Sequence, residues 1–245
     1  MTENARGATP SGAHPDEPHR QGLSQRLNGL RAGVLGANDG IVSTAAVVVG
    51  VAGATPDTGP VFIAGLAALV GGAISMALGE YVSVSSQRDS EHALIQKERR
   101  ELTDDPEAEL AELVGLYEAQ GLSRETATRV ATELTASDAL KAHLSVELNI
   151  DADDVVSPWT AAFASAVAFT IGALLPMVTI LLTPVDVRVP LTFGSVLLAL
   201  AVTGYLAAWI GGARRGRAIL RTVIGGALAL GATYLVGSLF GVAAG

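Results

Sequence analysis

Two groups of residues in this 245-residue chain have the types and spacing to hold a cation. The first is acidic: Glu98 and Glu101 are three apart, as are Glu109 and Glu112, so each pair shares one face of a helix. The TDDP turn between the pairs lets two helices fold back as an antiparallel hairpin. Four carboxylates would then converge, as they do where helix bundles assemble divalent-metal sites. His143 and Glu147, at i and i+4, add an imidazole and a further carboxylate from one face of a later helix. Such a set suits Mn2+, Fe2+, Co2+ or Zn2+ better than soft Cu+. The bland alternative is a solvated, ion-paired surface, with the bases of KERREL interleaved among the acids and His143 packed as an ordinary histidine. Glu91 and His92 are adjacent, point in different directions and form no pair.

The second group lies in apolar sequence. Within VLGANDGIVSTAAVVVGV (34–51), Asp39 is an ionisable carboxylate, with Asn38, Ser43 and Thr44 as nearby oxygen ligands. Gly36 and Gly40 permit a close neighbour or a local break in the helix. Met76 and Glu80, at i and i+4 in a later apolar stretch, offer a thioether and a second carboxylate on one stripe. A carboxylate at membrane depth costs about 2.5 kcal/mol or more and by default marks an ion or proton path. The competing readings are an N-cap for Asp39 near the interface, ordinary packing for Met76, and a Glu80 that reaches toward the headgroups.

The elements that must position these residues follow from how apolarity is distributed. The chain is 49% hydrophobic, and those residues are clustered rather than dispersed. Trp159 to Thr183, Leu191 to Ala213 and Thr222 to Gly245 run without sustained charge for the length needed to cross a hydrocarbon core. Ala32 to Ala54 and Val61 to Ser86 match them apart from Asp39 and Glu80. Five transmembrane helices are therefore expected in an all-α membrane protein. Glycine-rich runs such as GLAALVGGAISMALG argue against water-exposed helices, where each glycine costs about 1 kcal/mol, and for close helix packing in lipid.

Charge is as unevenly placed. Residues 88–154 hold 17 acids against 7 bases, whereas the whole chain has 24 against 16. An acidic block of this kind repels nucleic acid and attracts cations. It should be an all-α insert between spans 2 and 3. The span 2 helix continues past the membrane, a helix capped by Asp105 with Pro106 at its first position runs to about Gln120 and stops at Gly121, Ser123 caps the next, and a fourth covers roughly Ser137 to Leu148. Arg26, Arg31, Arg88, Lys97, Arg99, Arg100, Arg214, Arg215, Arg217 and Arg221 fall on one side if the N-terminus is cytoplasmic, leaving Arg188 as the only base in the opposite loops. That orientation makes the insert cytoplasmic and the C-terminus external. The expected division is a disordered tail over 1–22, including His14 and His19, spans 1 and 2 over 23–87, the insert over 88–156, and spans 3 to 5 over 157–245. No cysteine is present, which excludes disulfides, thiolate metal sites and cysteine nucleophiles.

LRAGVLGANDGIVSTAAVVVGVAGA, GGAISMALGEYVSVSSQRDSE and KERREL together resemble the vacuolar iron transporter family, over about residues 24–245. The resemblance implies a homodimer whose spans frame a translocation path and whose cytoplasmic domain binds metal. It implies exchange of Fe2+ or Mn2+ for protons, with no enzymatic activity. It places the path aspartate at Asp39, the path methionine at Met76, the insert's metal-binding glutamates at Glu98, Glu101, Glu109 and Glu112, and its last-helix glutamate at Glu147. Plant members carry a methionine and another glutamate in that last helix; here the nearby positions are His143 and Leu144, a departure that bears on metal preference. The absence of an organelle signal and the high Ala/Gly content point to a bacterial member in a plasma membrane. Two other classes share some of these features. A non-transporting metal sensor needs only the insert, and a membrane di-iron oxidase would use Glu-x-x-Glu pairs but lacks the Glu-x-x-His repeats of that class.

Overall fold

The structure, a computed structural model, describes residues 23–150 and 157–244, with side chains described from 32 to 150 and from 157 to 241. The expected tail (1–22) and most of the DADDVVSP linker lie outside the described residues. Among the described residues the chain forms seven helices and no strand: α1 (Leu23–Ala54), α2 (Thr58–Asp104), α3 (Pro106–Ala119), α4 (Arg124–Val146), α5 (Pro158–Leu182), α6 (Val185–Ile210) and α7 (Arg215–Ala244). Five of these, all but α3 and α4, are long and apolar enough to cross a membrane. The protein is thus an all-helical, multi-pass membrane protein.

Helix α1 is the axis of the bundle, and glycine determines how close its neighbours come. A Cβ on Gly40 would strike the backbone carbonyl of Phe169, one on Gly172 would strike that of Ala37, and Gly36 lies against Ser165. These contacts run α5 parallel to α1 with backbones nearly touching, the packing that small residues permit in lipid. Gly237 and Gly241 of α7 abut Gly50 and Ala54 in the same way, so α7 is parallel to α1 as well. Helices α2 and α6 run opposite: Gly65 meets Val48 and Met177, while Gly72 receives the ring of Phe169. Ile41, Ala45, Val48, Val49, Met177, Val196, Leu200 and Leu230 fill the core between them.

At 47 residues, α2 rises about 70 Å, more than twice a hydrocarbon thickness of about 30 Å. Its far end packs against α3 and α4, which share a small cluster built on Leu113, Val114, Ala127, Ala131 and Ala142. The local signals read from sequence act as expected. The Asp105 carboxylate accepts from the Ala108 amide at 3.1 Å, Gly121 takes φ +101°, and Ser123 accepts from the Thr126 amide. The expected third and fourth insert helices are the two arms of α4, which break at Asp138: that residue is extended (φ −161°, ψ 94°) and its carboxylate caps the second arm through the Lys141 amide at 3.0 Å.

Two expectations need correction, and one competing reading falls away. Arg188 is not in a loop: α6 begins at Val185, six residues before the expected start of span 4, and Arg188 is 2% exposed inside it. Its guanidinium donates to the Thr55 carbonyl at 2.8 Å, satisfying an acceptor just beyond the C-terminus of α1. Helix α7 starts at Arg215 rather than near Thr222, so Arg215, Arg217 and Arg221 are helical. The N-cap reading of Asp39 fails because α1 begins at Leu23, about four turns earlier.

Candidate metal centre

The insert brings three helices to one buried point. Glu98 comes from the extension of α2, Glu109 from the first turns of α3, and His143 from the second arm of α4; all three are buried. One potential ligand atom from each lies within 4.8 Å of the others. His143 Nδ1 is 2.9 Å from Glu98 Oε1, 3.6 Å from Glu147 Oε2 and 3.7 Å from Glu109 Oε2. The imidazole therefore faces three carboxylates.

Proximity here is not hydrogen bonding. Neither nitrogen of His143 nor Glu98 Oε1 has a partner at acceptable geometry, although all are shielded from water. Buried polar atoms left in this state cost about 1–3 kcal/mol each, and buried like charges cost more. Burial, reinforced by repulsion from Glu147 and partly offset by His143, holds the Glu98 carboxyl above its ordinary range. Burial, with repulsion from Glu112, does the same to Glu109. A divalent cation among these oxygens and the imidazole nitrogen would relieve both penalties at once.

The i, i+3 pairs split. Glu98 and Glu109 turn inward, whereas Glu101 is tied to Lys97 at 2.8 Å on the open side and Glu112 is exposed. The Lys97 ammonium is held above its ordinary pKa by that bond. Glu147 lies one turn beyond His143 at the rim of the pocket. Leu144, the alternative last-helix position, is buried but apolar. The centre is thus one glutamate from each pair plus His143, with Glu147 as a fourth group.

In the bundle, Asp39 is half-buried and accepts from the Ser43 hydroxyl at 2.7 Å. Gly40 packs on Phe169, ten residues beyond Trp159, which puts Asp39 about 15 Å of helix rise from that end. The Trp159 ring lies 4.7 Å from that of Tyr81, and Tyr205 and Trp209 are exposed at the same end of α6. These aromatics form an interfacial belt at the insert end. Glu80 is next to this belt. Met76 is one turn deeper, near the level of Asp39, and both are half-buried. Asn38 points elsewhere: its Oδ1 accepts from Thr203 of α6 at 3.4 Å. Thr44 is fully buried with no hydrogen-bond partner, so Ser43 alone of the nearby oxygens joins Asp39.

Sequence reasoning missed the structural use of Arg188, whose signal was a lone base in TPVDVRVP, and the Asn38–Thr203 contact, for which no local signal exists. Comparison with known proteins agrees with this architecture. The VIT family model matches residues 30–238. A vacuolar iron transporter of Acanthamoeba castellanii is 44% identical over 211 residues, covering 86% of this chain and 78% of the relative. Vacuolar iron transporter homolog 1 of Oryza sativa subsp. japonica is 34% identical over 96% of this chain and 84% of its own length. Homolog 4 of Arabidopsis thaliana is 34% identical over 88% of this chain and 87% of its own. These relatives are named as transporters, not enzymes, and with the insert, three whole membrane helices and most of the first and last inside the match, the chain belongs to the VIT family.

Proposed function

We propose that this protein exports a divalent metal, Fe2+ or Mn2+, from the cytosol in exchange for protons. The carrying observation is the buried Glu98, Glu109 and His143 cluster, whose unpartnered ligand atoms suit a cation. The insert lies on the cytoplasmic side of a plasma membrane in this reading, supported by the arginines at that end of the bundle. There it captures metal with Glu98, Glu109 and His143, with Glu147 completing the shell and Glu101 and Glu112 supplying an acidic approach.

Metal then passes to Asp39 and Met76 in the bundle, and Glu80 near the aromatic belt lies between the two stations. Protons arriving from the far side neutralise Asp39 and Glu80, lower their metal affinity and so drive release. Two chains form the path. In each chain Asp39 has a single hydroxyl donor among the described residues, which leaves carboxylate oxygen free for a cation or a second copy's groups.

The test is flux in proteoliposomes with an imposed pH gradient and competing Fe2+, Mn2+, Co2+ and Zn2+. Gradient-dependent metal movement that Asp39→Asn abolishes is the expected result. Near-normal flux in that variant removes Asp39 from the path, and metal binding without any flux makes the protein a sensor.

A further inference from the structure

The bundle contains a cavity of about 420 Å3 that the transport reading does not use. It opens between α1, α6 and α7 at the insert end and is bounded by Leu35, Asn38, Thr203, Ala207, Ile210 and Arg221. Its origin is geometric. Helices α1 and α7 touch through Gly50, Gly237 and Gly241 at the far end, whereas α7 leans on α6 through Gly204 at the insert end. A wedge is left between α1 and α7 on that side.

The wedge has two chemical characters. Its walls are mostly apolar, and Leu35, Leu206, Trp209 and Leu220 are exposed on or near its helices. Its one charged lining residue is Arg221, and the start of α7 that carries it is cationic: Arg214, Arg215, Arg217 and Arg221 occur within eight residues that contain no acid. Arg215 is already engaged, 3.4 Å from the Tyr205 hydroxyl and 5.3 Å over its ring. Arg221 lines the cavity, is exposed, and has no acidic partner among the described residues. An exposed guanidinium beside an apolar slot matches a phosphate ester that carries hydrocarbon chains. The cavity volume also falls within the usual range of ligand pockets, about 300–1,000 Å3.

We infer that the α1, α6 and α7 cavity binds one anionic phospholipid from the leaflet on the insert side, with its phosphate on Arg221 and an acyl chain along Leu35, Ala207 and Ile210. Bound there, the lipid wedges α1 from the side opposite α5. It touches Asn38, the residue before Asp39, and so biases the position of the helix that carries the membrane carboxylate. This inference does not depend on the identity of the cargo.

The test is native mass spectrometry of the full-length protein equilibrated with phosphatidylglycerol or phosphatidylcholine. Wild type should retain one phosphatidylglycerol per chain, in preference to phosphatidylcholine. Arg221→Gln, an exposed change that leaves the fold intact, should lower retention about fivefold. Ala207→Phe should lower it by filling the slot, with unchanged Co2+ binding as the check that the protein is folded. Equal retention of both lipids, undiminished retention in Arg221→Gln, or displacement by inorganic phosphate alone would each overturn the assignment. The last result would make the site one for a free anion.

Discussion

Glu98 and His143 are where chemistry and stability conflict most directly. With Glu98 held by burial above the ordinary carboxyl value of 4.5, its ionised form destabilises the metal-free insert at every pH above that raised value. The penalty disappears as pH falls toward 4.5. Metal binding requires the deprotonated carboxylates, so it weakens over the same window, beginning at a higher pH than for an exposed glutamate. Calorimetric Mn2+ titration of the full-length protein at progressively lower pH should show affinity falling as these carboxylates protonate. In Glu98→Gln the affinity at pH 7.5 should fall tenfold or more while the metal-free protein melts at a higher temperature. Glu101→Gln, which loses only an exposed, solvent-screened ion pair, should change affinity less than threefold. His143→Leu removes the one nitrogen of the proposed shell. Imidazole favours later divalent metals, so the Co2+ to Mn2+ affinity ratio should drop in that variant, and an unchanged ratio would take His143 out of the shell. Sequence spacing singled out all these residues as candidates, but it could not tell which member of each i, i+3 pair turns inward. The two lie only about 60° apart on the helix, and the choice is made by where α4 packs.

At the scale of elements, the sequence was most legible where local chemistry decides. Asp105, Pro106, Gly121 and Ser123 delimit α3 and α4 as capping rules require. It was least legible where a partner helix decides: the early start of α6 depends on Arg188 finding the Thr55 carbonyl, 133 positions away. Arg188→Gln should therefore destabilise the bundle by about 1–3 kcal/mol, seen as a lower melting temperature in detergent with insert metal binding retained. Glycines separate in the same way. Gly40→Ala forces a Cβ against the Phe169 backbone, which cannot move as a side chain could, and should cost about 1–3 kcal/mol or more. Gly225→Ala meets nothing within 4 Å and should leave the melting temperature within about 1 °C or raise it slightly. Equal effects from the two substitutions would refute glycine-mediated contact between α1 and α5.

For the whole molecule, the unresolved demand is on α2, the most apolar span and one of the least covered. Only 11% of its spanning window is buried, against 39% for α1 and α5. Its open side carries Ala67, Gly71, Ser75, Gly79 and Ser83, an unbroken i, i+4 ladder of small residues, all exposed, and a Cβ on Gly71 or Gly79 would meet nothing within 4 Å. In lipid an exposed apolar face alone has no reason to seek a partner. Small residues at four-residue spacing supply one, because two backbones can then approach and gain dispersion contact along five positions. The same helix carries Met76 and Glu80, so pairing through this ladder would bring both copies of these side chains, with the half-buried Asp39 of each α1, toward a shared axis. The chain has no cysteine, which makes the geometry directly readable. Ser75→Cys should give a disulfide-linked dimer on mild oxidation in native membranes. Leu228→Cys, equally open to lipid on α7, should stay monomeric on a denaturing gel. Cross-linking at position 228 but not at 75 would move the interface to α7 and place Asp39 in a path within each chain rather than between two.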